Sequence, residues 1–151
     1  MEMGFPEGAA TLVTLADGTT SLYTSSGGGT IGAGEHEVVA QETMRFLEVV
    51  ADALDRFQPT TTFPLPITGR VRINVRAFDG GFTAEAPENE LGEGTHPLSP
   101  VFYAGHEVIS RMREIEESMQ SPSSWSRIRA CWQAVRAWWW SLSRAGGSRP
   151  R

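Results

Sequence analysis

The feature of this sequence that most constrains its fold is a glycine-rich segment leading directly into a long amphipathic stretch, over residues 25–57. From Glu37 to Phe57 apolar side chains recur every three or four positions, which predicts a helix with one buried face. The predicted buried positions are Val39, Thr43, Phe46, Leu47, Val50, Leu54 and Phe57. Pro59 ends the helix. Such a helix is about 30 Å long, enough to cover one face of a small sheet.

Two β-hairpins are predicted, one on each side of this helix. The first joins residues 10–16 to residues 19–24 through an Asp-Gly pair, which is typical of a two-residue hairpin turn. The second joins residues 70–78, in which apolar and polar side chains alternate, to a shorter strand over residues 82–86. That alternation predicts a strand with one buried face.

The rest of the first 120 residues supplies a crossover and a second helix. Residues 59–69 hold three prolines and predict an extended crossover loop, and residues 88–96 predict an acidic loop. Ser99 and Pro100 are typical of a helix start. Apolar residues at helical spacing continue this second helix as far as Met119.

Together these elements predict an α+β fold. It consists of an antiparallel sheet of two hairpins, with about four to five strands, packed against two helices, plus a C-terminal basic amphipathic helix. A chain of 151 residues suits one domain. We expect residues 1–120 to form that domain and residues 121–151 to form a Trp- and Arg-rich tail that is partly helical.

The two signs of charge are distributed unevenly along the chain. Of its 13 basic and 18 acidic residues, six arginines and no acid lie after position 120. The first 120 residues therefore carry 13 minus 6, or 7, basic side chains and all 18 acidic ones, a net charge of −11 against +6 for the tail. This acidic body disfavours nucleic acid as a partner, because phosphate binding needs clustered positive charge.

An apolar stripe runs along the predicted tail helix, with members three and four residues apart. They are Trp125, Ile128, Trp132, Val135, Trp139 and Leu142. Arginines border the stripe, and the candidate interaction residues are Trp125, Ile128, Trp132, Arg136 and Trp139. Three interpretations are open: the stripe docks on the protein's own acidic body or in a homodimer, it lies in the plane of an anionic membrane, or it enters a partner's groove or stays disordered.

The expected compartment is the cytoplasm, with peripheral membrane attachment through the tail as an alternative. Cys131 is the single cysteine, so no intrachain disulfide framework exists and a reducing compartment is favoured. The N-terminal residues are acidic and interrupted by glycine and proline, unlike a signal peptide. No apolar run approaches the roughly 20 residues that span a bilayer.

The glycine-rich loop Gly27–Gly34 is a candidate anion or cofactor site, because backbone N–H groups at a helix start bind anions. The candidate residues are Gly29, Gly32 and Gly34. The loop lacks the Gly-Lys-Ser/Thr ending of a phosphate-binding loop, and Glu35 and Glu37 would repel an anion. A structural turn is therefore the favoured interpretation, and no cofactor is expected.

The three histidines are the candidate metal ligands. His36 and His106 each precede a glutamate near a helix start, and His96 lies in the loop between them. A metal site would need three of these histidines and glutamates to converge, and the sequence lacks the i, i+4 histidine pair of zinc-binding helices. Exposed histidines at helix ends are the alternative, and no reaction is indicated by any nucleophile or base.

Three arginines lie on one face of the strand over residues 70–78: Arg70, Arg72 and Arg76. They form a binding surface, pair with acids on the neighbouring strand or simply face water, and the last two are the favoured interpretations.

The order hairpin, long helix, hairpin, helix resembles the roadblock and profilin-like α/β scaffolds. The matching segments are GAATLVTLADGTTSLYTSS, VVAQETMRFLEVVADALDRF and RVRINVRAFDGGFTAEA, within residues 8–118. The resemblance implies a helix-covered antiparallel sheet that dimerises and serves regulatory or GTPase-associated assemblies.

The leading functional hypothesis is a non-enzymatic interaction or regulatory module. It self-associates, and its tail attaches it to a protein partner or to an anionic membrane surface. The alternative is a small-ligand or anion-binding protein, with enzymatic activity left open, that uses the glycine-rich loop.

Overall fold

A computed structural model describes residues 1–120 of the chain, which form one antiparallel sheet and three helices. The strands are β1 (Glu2–Phe5), β2 (Gly8–Thr14), β3 (Thr20–Thr24), β4 (Gly29–Thr30), β5 (Gln58–Thr60), β6 (Arg70–Ala77) and β7 (Gly80–Pro87). The helices are α1 (Glu37–Asp52), α2 (Glu88–Gly92) and α3 (Ser99–Gln120). The strand order across the sheet is β4-β3-β2-β1-β6-β7-β5, and every neighbouring pair is antiparallel. The predicted α+β class is confirmed.

The chain divides into two compact units, Met1–Ile115 and Glu116–Arg151. The sheet, α1, α2 and most of α3 belong to the first unit. Of the second unit the structure describes residues 116–120, the last turn of α3. The predictions for the tail, including its helix and its stripe, lie outside the described residues.

The sheet has seven strands in the described part of the chain, more than the four to five predicted. The three strands that were not predicted are β1, β4 and β5. β1 contains Gly4 and is followed by Pro6, so its sequence suggests a broken segment, yet β1 is the central strand and joins the two hairpins. β5 contains Pro59, and an edge strand tolerates proline because its outer side needs no ladder hydrogen bond.

The number of helices also differs from the prediction: three are described where two were expected. The additional helix is α2, which replaces the first part of the predicted acidic loop. Leu91 on α2 is completely buried in the core. The acidic sequence of this segment does not indicate that Leu91 is buried. The burial of Leu91 explains why the short helix forms.

The turn between β2 and β3 is one residue longer than predicted. The amide of Leu15 donates to the carbonyl of Thr19 (2.9 Å), and the amide of Gly18 donates to the carbonyl of Leu15 (3.0 Å). The loop therefore has three residues, with Gly18 at a φ of 87°. This is the turn that ends in a left-handed glycine, so the prediction of a two-residue turn was wrong although the glycine does adopt positive φ.

One face of the sheet, which we call the first face, carries the hydrophobic core. α1 buries Val39, Thr43, Phe46 and Val50 as predicted, but it ends at Asp52 and a single 3-10 turn follows over Leu54–Arg56. α3 buries Val101, Val108, Ile109 and Met112 at the predicted spacing. These residues form one cluster with Met3, Leu12, Val71 and Ile73 of the sheet.

A polar contact ties α1 to β3 inside this core. The hydroxyl oxygens of Thr20 and Thr43 lie 2.6 Å apart, and both residues are completely buried. Each hydroxyl thereby has a partner, which removes most of the cost of burying it. This pair places α1 over the β2–β3 half of the sheet.

The α-amino group of Met1 is also buried in the core. It donates to the carbonyl of Leu12 at 2.8 Å, and the amide of Leu12 donates to the carbonyl of Met1, also at 2.8 Å. Desolvation lowers the pKa of this amine to about 6, and the nearby Glu2 opposes the shift only in part. The ladder between β1 and β2 thus includes an amine that folding favours in its neutral form.

None of the helices within residues 1–120 combines the length and the apolar character needed to cross a bilayer.

Candidate functional site

The opposite side of the sheet, the second face, is crossed by an irregular segment over residues 61–69, which we call the strap. At β7 the Phe63 ring lies beside Gly81 and under the Arg76 guanidinium, 4.3 Å from the ring centroid. At β6 the carbonyl of Pro64 accepts a hydrogen bond from Arg72. At β1 the amide of Gly69 donates to the carbonyl of Gly4 at 2.9 Å. The predicted crossover loop therefore covers three strands of the second face.

A charged network lies beneath the strap. Glu85 on β7 is opposite Arg72 on β6, and its two carboxylate oxygens are shared between two arginines. Oε1 accepts from Arg70 Nε at 2.8 Å, and Oε2 accepts from Arg72 Nη2. Burial by itself raises the pKa of Glu85, but the hydrogen bonds and charges of the two arginines outweigh it and hold the pKa below its usual value. The interpretation of the strand arginines as partners of acids on the neighbouring strand is confirmed for Arg70 and Arg72, whereas Arg76 lies over the Phe63 ring and forms no ion pair within residues 1–120.

The network continues to the central strand. Asn74 Nδ2 donates to Glu2 Oε2 at 3.1 Å, and the hydroxyl of Thr83 donates to Asn74 Oδ1 at 2.7 Å. The second face of β1, β6 and β7 is therefore polar, internally paired and partly covered by the strap.

A cleft of about 660 Å³ opens at the β7 edge of this network. It exists because β5 pairs only with the segment of β7 from Gly81 to Thr83, so the edge of β7 beyond Thr83 has no strand beside it. The lining comes from the 3-10 turn after α1, β5, the strap, β6, β7 and the loop before α3, and its polar members include Arg56, Gln58, Thr62, Arg72, Glu85 and His96. The volume falls in the range that holds small-molecule ligands.

Two groups of the cleft that can donate hydrogen bonds, Arg56 and His96, lie on its irregular walls. Arg56 Nη1 makes one long contact of 3.5 Å, to the carbonyl of Pro97, and in residues 1–120 it forms no ion pair. His96 Nδ1 accepts a hydrogen bond from the amide of Leu98 at 3.1 Å. The neutral ring therefore carries its proton on Nε2, which is a donor.

The three candidate metal ligands lie in different elements. His36 is exposed before α1, His96 lines the cleft, and His106 lies on α3 with its ring centroid 4.3 Å from that of Phe102. Burial lowers the pKa of His106, and its Nε2 is buried without a hydrogen-bond partner in the described region. No group of three or more His, Cys, Asp or Glu side chains within residues 1–120 is arranged to hold a metal ion.

The three candidate glycines of the loop belong to different elements and have local structural roles. Gly29 lies in β4, where an added Cβ would be 2.1 Å from the carbonyl oxygen of Leu22. Gly34 lies in a 3-10 turn, where an added Cβ would be 2.1 Å from the carbonyl oxygen of Gly18. Gly32 precedes that turn with a φ of 75°. Close backbone contacts account for Gly29 and Gly34 without a ligand.

The other half of the second face differs from the half under the strap, because it carries no charge. The strand register places Thr11 and Tyr23 in one row with Glu2 and Arg72, so these side chains share the second face. Between Gly8 and Gly34 the only charged residue is Asp17, and it lies in a turn. Three exposed apolar residues of this region are Val13 (39% exposed), Tyr23 (42%) and Ile31 (76%). We call the second side of β2, β3 and β4, with Ile31, the uncharged face.

No protein-family model matches the sequence, and comparisons with curated proteins and with solved structures found no significant match. The functional argument therefore depends on the residues themselves.

Sequence reasoning identified some cleft residues for other reasons and missed the rest. Arg72 was a candidate for a surface and His96 for a metal site, whereas Arg56, Gln58 and Glu85 were not singled out. The pairing of Glu85 with Arg72 could have been predicted from the sequence, since a turn at Phe78-Asp79 sets the register of the two strands. Nothing local in the sequence indicates that Arg56 and His96 line the same cleft.

Proposed function

We propose that this protein is a non-enzymatic interaction module that self-associates through the uncharged face. The single observation that supports the proposal is a sheet face without charged side chains in a body of net charge −11. Two such bodies repel one another at most orientations, and the repulsion is smallest where the facing surfaces carry no charge.

A second copy of this chain suits the uncharged face better than an unrelated partner does. Most homodimers have twofold symmetry, so the same patch must complement itself. A neutral patch with exposed valine, tyrosine and isoleucine meets that condition, because it brings no like charges together and buries apolar area on both sides. The edge of the sheet at β3 supports the same interpretation. β4 pairs only with Leu22 and Tyr23 of β3, and β3 has no charged residue that would disfavour pairing with a further strand.

Replacing Tyr23 with glutamate or with arginine should weaken self-association of the full-length chain about tenfold or more, because either charge would be desolvated and brought near its own copy across a twofold axis. Sedimentation velocity across a wide range of protein concentration measures the dissociation constant. Circular dichroism and urea unfolding verify that each variant is folded.

Phe78 provides the matched control for this experiment. It is fully exposed at the turn between β6 and β7, away from the uncharged face. Phe78→Glu and Phe78→Arg change the net charge by the same amounts and should leave the dissociation constant nearly unchanged. A parent chain that stays monomeric throughout, or Phe78 variants that weaken association as much as the Tyr23 variants, would rule the proposal out.

The tail supplies the second part of the proposed function, attachment to an anionic membrane surface. Tryptophan favours the membrane interface and arginine favours anionic headgroups, and the predicted tail helix carries both.

Substituting both Trp132 and Trp139 with alanine should reduce co-sedimentation of the full-length chain with phosphatidylserine-containing vesicles about tenfold or more, since interfacial binding scales with buried apolar area. Trp138→Ala with Trp140→Ala is the matched control, because these two residues lie outside the stripe. Equal losses in the two double variants, or no binding by the parent chain, would contradict the membrane role.

A further inference from the structure

We propose that the cleft between the strap, β7 and the loop before α3 binds a small anionic molecule through a phosphate or carboxylate group, with Arg56 and His96 as the contacts that select it. The proposal concerns a different surface from the uncharged face, and it places anion binding away from the glycine-rich loop.

The charged network at the inner wall of the cleft has a net positive charge that its own ion pairs do not cancel. Arg72 and Glu85 line the cleft, and Arg70, outside the lining, is paired with Glu85, so the network holds two positive charges and one negative charge. Both oxygens of Glu85 already accept hydrogen bonds from these arginines. The carboxylate is therefore occupied, and an excess of one positive charge remains in this network.

Arg56 adds a second positive charge at the mouth of the cleft. Its only hydrogen bond in the described part of the chain is the long one to Pro97, so most of its N–H donors remain available. A guanidinium presents donors in a planar fork that matches the oxygens of a carboxylate or phosphate.

Neutral donors complete the arrangement. The His96 ring offers its Nε2 proton because Nδ1 is already an acceptor. The Gln58 amide and the Thr62 hydroxyl form no hydrogen bond with another described residue. The cleft thus combines excess positive charge with N–H and O–H donors that are available to a ligand. This is the chemistry that recognises an anionic oxygen group.

The size of the cleft and its open side indicate the class of ligand. A volume of about 660 Å³ is larger than a single inorganic anion needs. The polar side chains of the lining, among them Gln58 and Thr62, suit a hydrophilic remainder, such as a sugar or an organic acid backbone. We therefore expect a phosphorylated or carboxylated metabolite to bind more tightly than inorganic phosphate.

The test is isothermal titration of the full-length chain at constant ionic strength with four probes: glucose 6-phosphate, citrate, inorganic phosphate and uncharged glucose. Binding by either organic anion, with none by glucose, is expected. The phosphate and carboxylate arms distinguish the two sources of the anionic group.

Two arginine variants separate the cleft from general attraction to positive charge. Arg56→Gln should weaken binding of the responsive probe about tenfold or more, because it removes a charge-assisted contact. Arg45→Gln is the matched control: Arg45 lies on α1, is paired with Glu42 and does not line the cleft. His96→Gln should also weaken binding, and NMR shift changes should centre on Gln58, Thr62 and His96.

The proposal is overturned if no charged probe binds more tightly than glucose. It is equally overturned if Arg45→Gln and Arg56→Gln weaken binding to the same extent, or if the shift changes lie away from the cleft. None of these results depends on the oligomeric state, so the outcome is independent of the proposed self-association.

Discussion

Replacing Gly4 with valine should lower the free energy of unfolding by about 3 kcal/mol, at the upper end of what overpacking usually costs. A Cβ at this position would lie 2.1 Å from the carbonyl oxygen of Ile67 and 2.8 Å from that of Pro66. Both contacts are with backbone atoms of the strap, so no side-chain rotation relieves them. The chain must either displace the strap or distort its central strand.

Urea unfolding measures the loss of stability, and hydrogen exchange shows which segment opens. The amide of Gly69 donates to Gly4, so displacement of the strap should speed its exchange far more than exchange of core amides. Thr11→Val is the matched control, because it introduces valine on the second face of the neighbouring strand, beyond the strap contacts. A Gly4 variant with normal stability and a protected Gly69 amide would show that the strap does not lie where it is described.

The free energy of unfolding should also fall by about 2 kcal/mol as the pH is lowered from 8 to 6, in a chain that starts at Met1. The native amine has a pKa of about 6, below its ordinary value of 8.0. Between these values the unfolded chain binds a proton that the native chain does not, so lowering the pH favours unfolding. Well above pH 8 the amine is neutral in both states, and well below pH 6 it is protonated in both, so its contribution to the slope levels off beyond these limits. Urea unfolding at a series of pH values measures the slope.

The sequence allows a direct check on that amine. The chain contains no lysine, so the α-amine of Met1 is its only primary amine. Acylation by an amine-selective reagent, followed by intact mass, should be slow in the native state and fast in urea. A chain extended by two residues before Met1 has a neutral amide at this position and should lose most of the slope between pH 6 and 8. His106→Gln removes the contribution of the histidine whose lowered pKa acts in the same direction. A parent slope equal to that of the extended chain would contradict a buried amine.

The elements with a clear hydrophobic period were predicted correctly from sequence. α1 and α3 bury the expected faces, and β6 alternates as expected, with Val71 and Ile73 buried and Arg72 on the other side. Periodicity is a local property, since each side chain's face follows from its own position in the element. The pairing of Arg70 and Arg72 with an acid on β7 follows from the same alternation.

The segments that were mispredicted lack such a period. β1, β4 and β5 have four residues or fewer, and each contains or adjoins glycine or proline. They are strands because neighbouring strands supply hydrogen-bond partners, and α2 is a helix because Leu91 reaches the core. Tertiary contacts override weak local preference in elements of this length.

The sequence by itself determined the α+β class, the two long helices, the two hairpins β2–β3 and β6–β7, and the uneven charge that motivates the proposed self-association. Only the tertiary structure decided that β1 lies at the centre, that the strap crosses the second face, and that Arg56, Glu85 and His96 line one cleft. The physical reason is the range of the contacts involved. The amphipathic period and the charge distribution are properties of consecutive residues, whereas a cleft forms where segments distant in sequence meet.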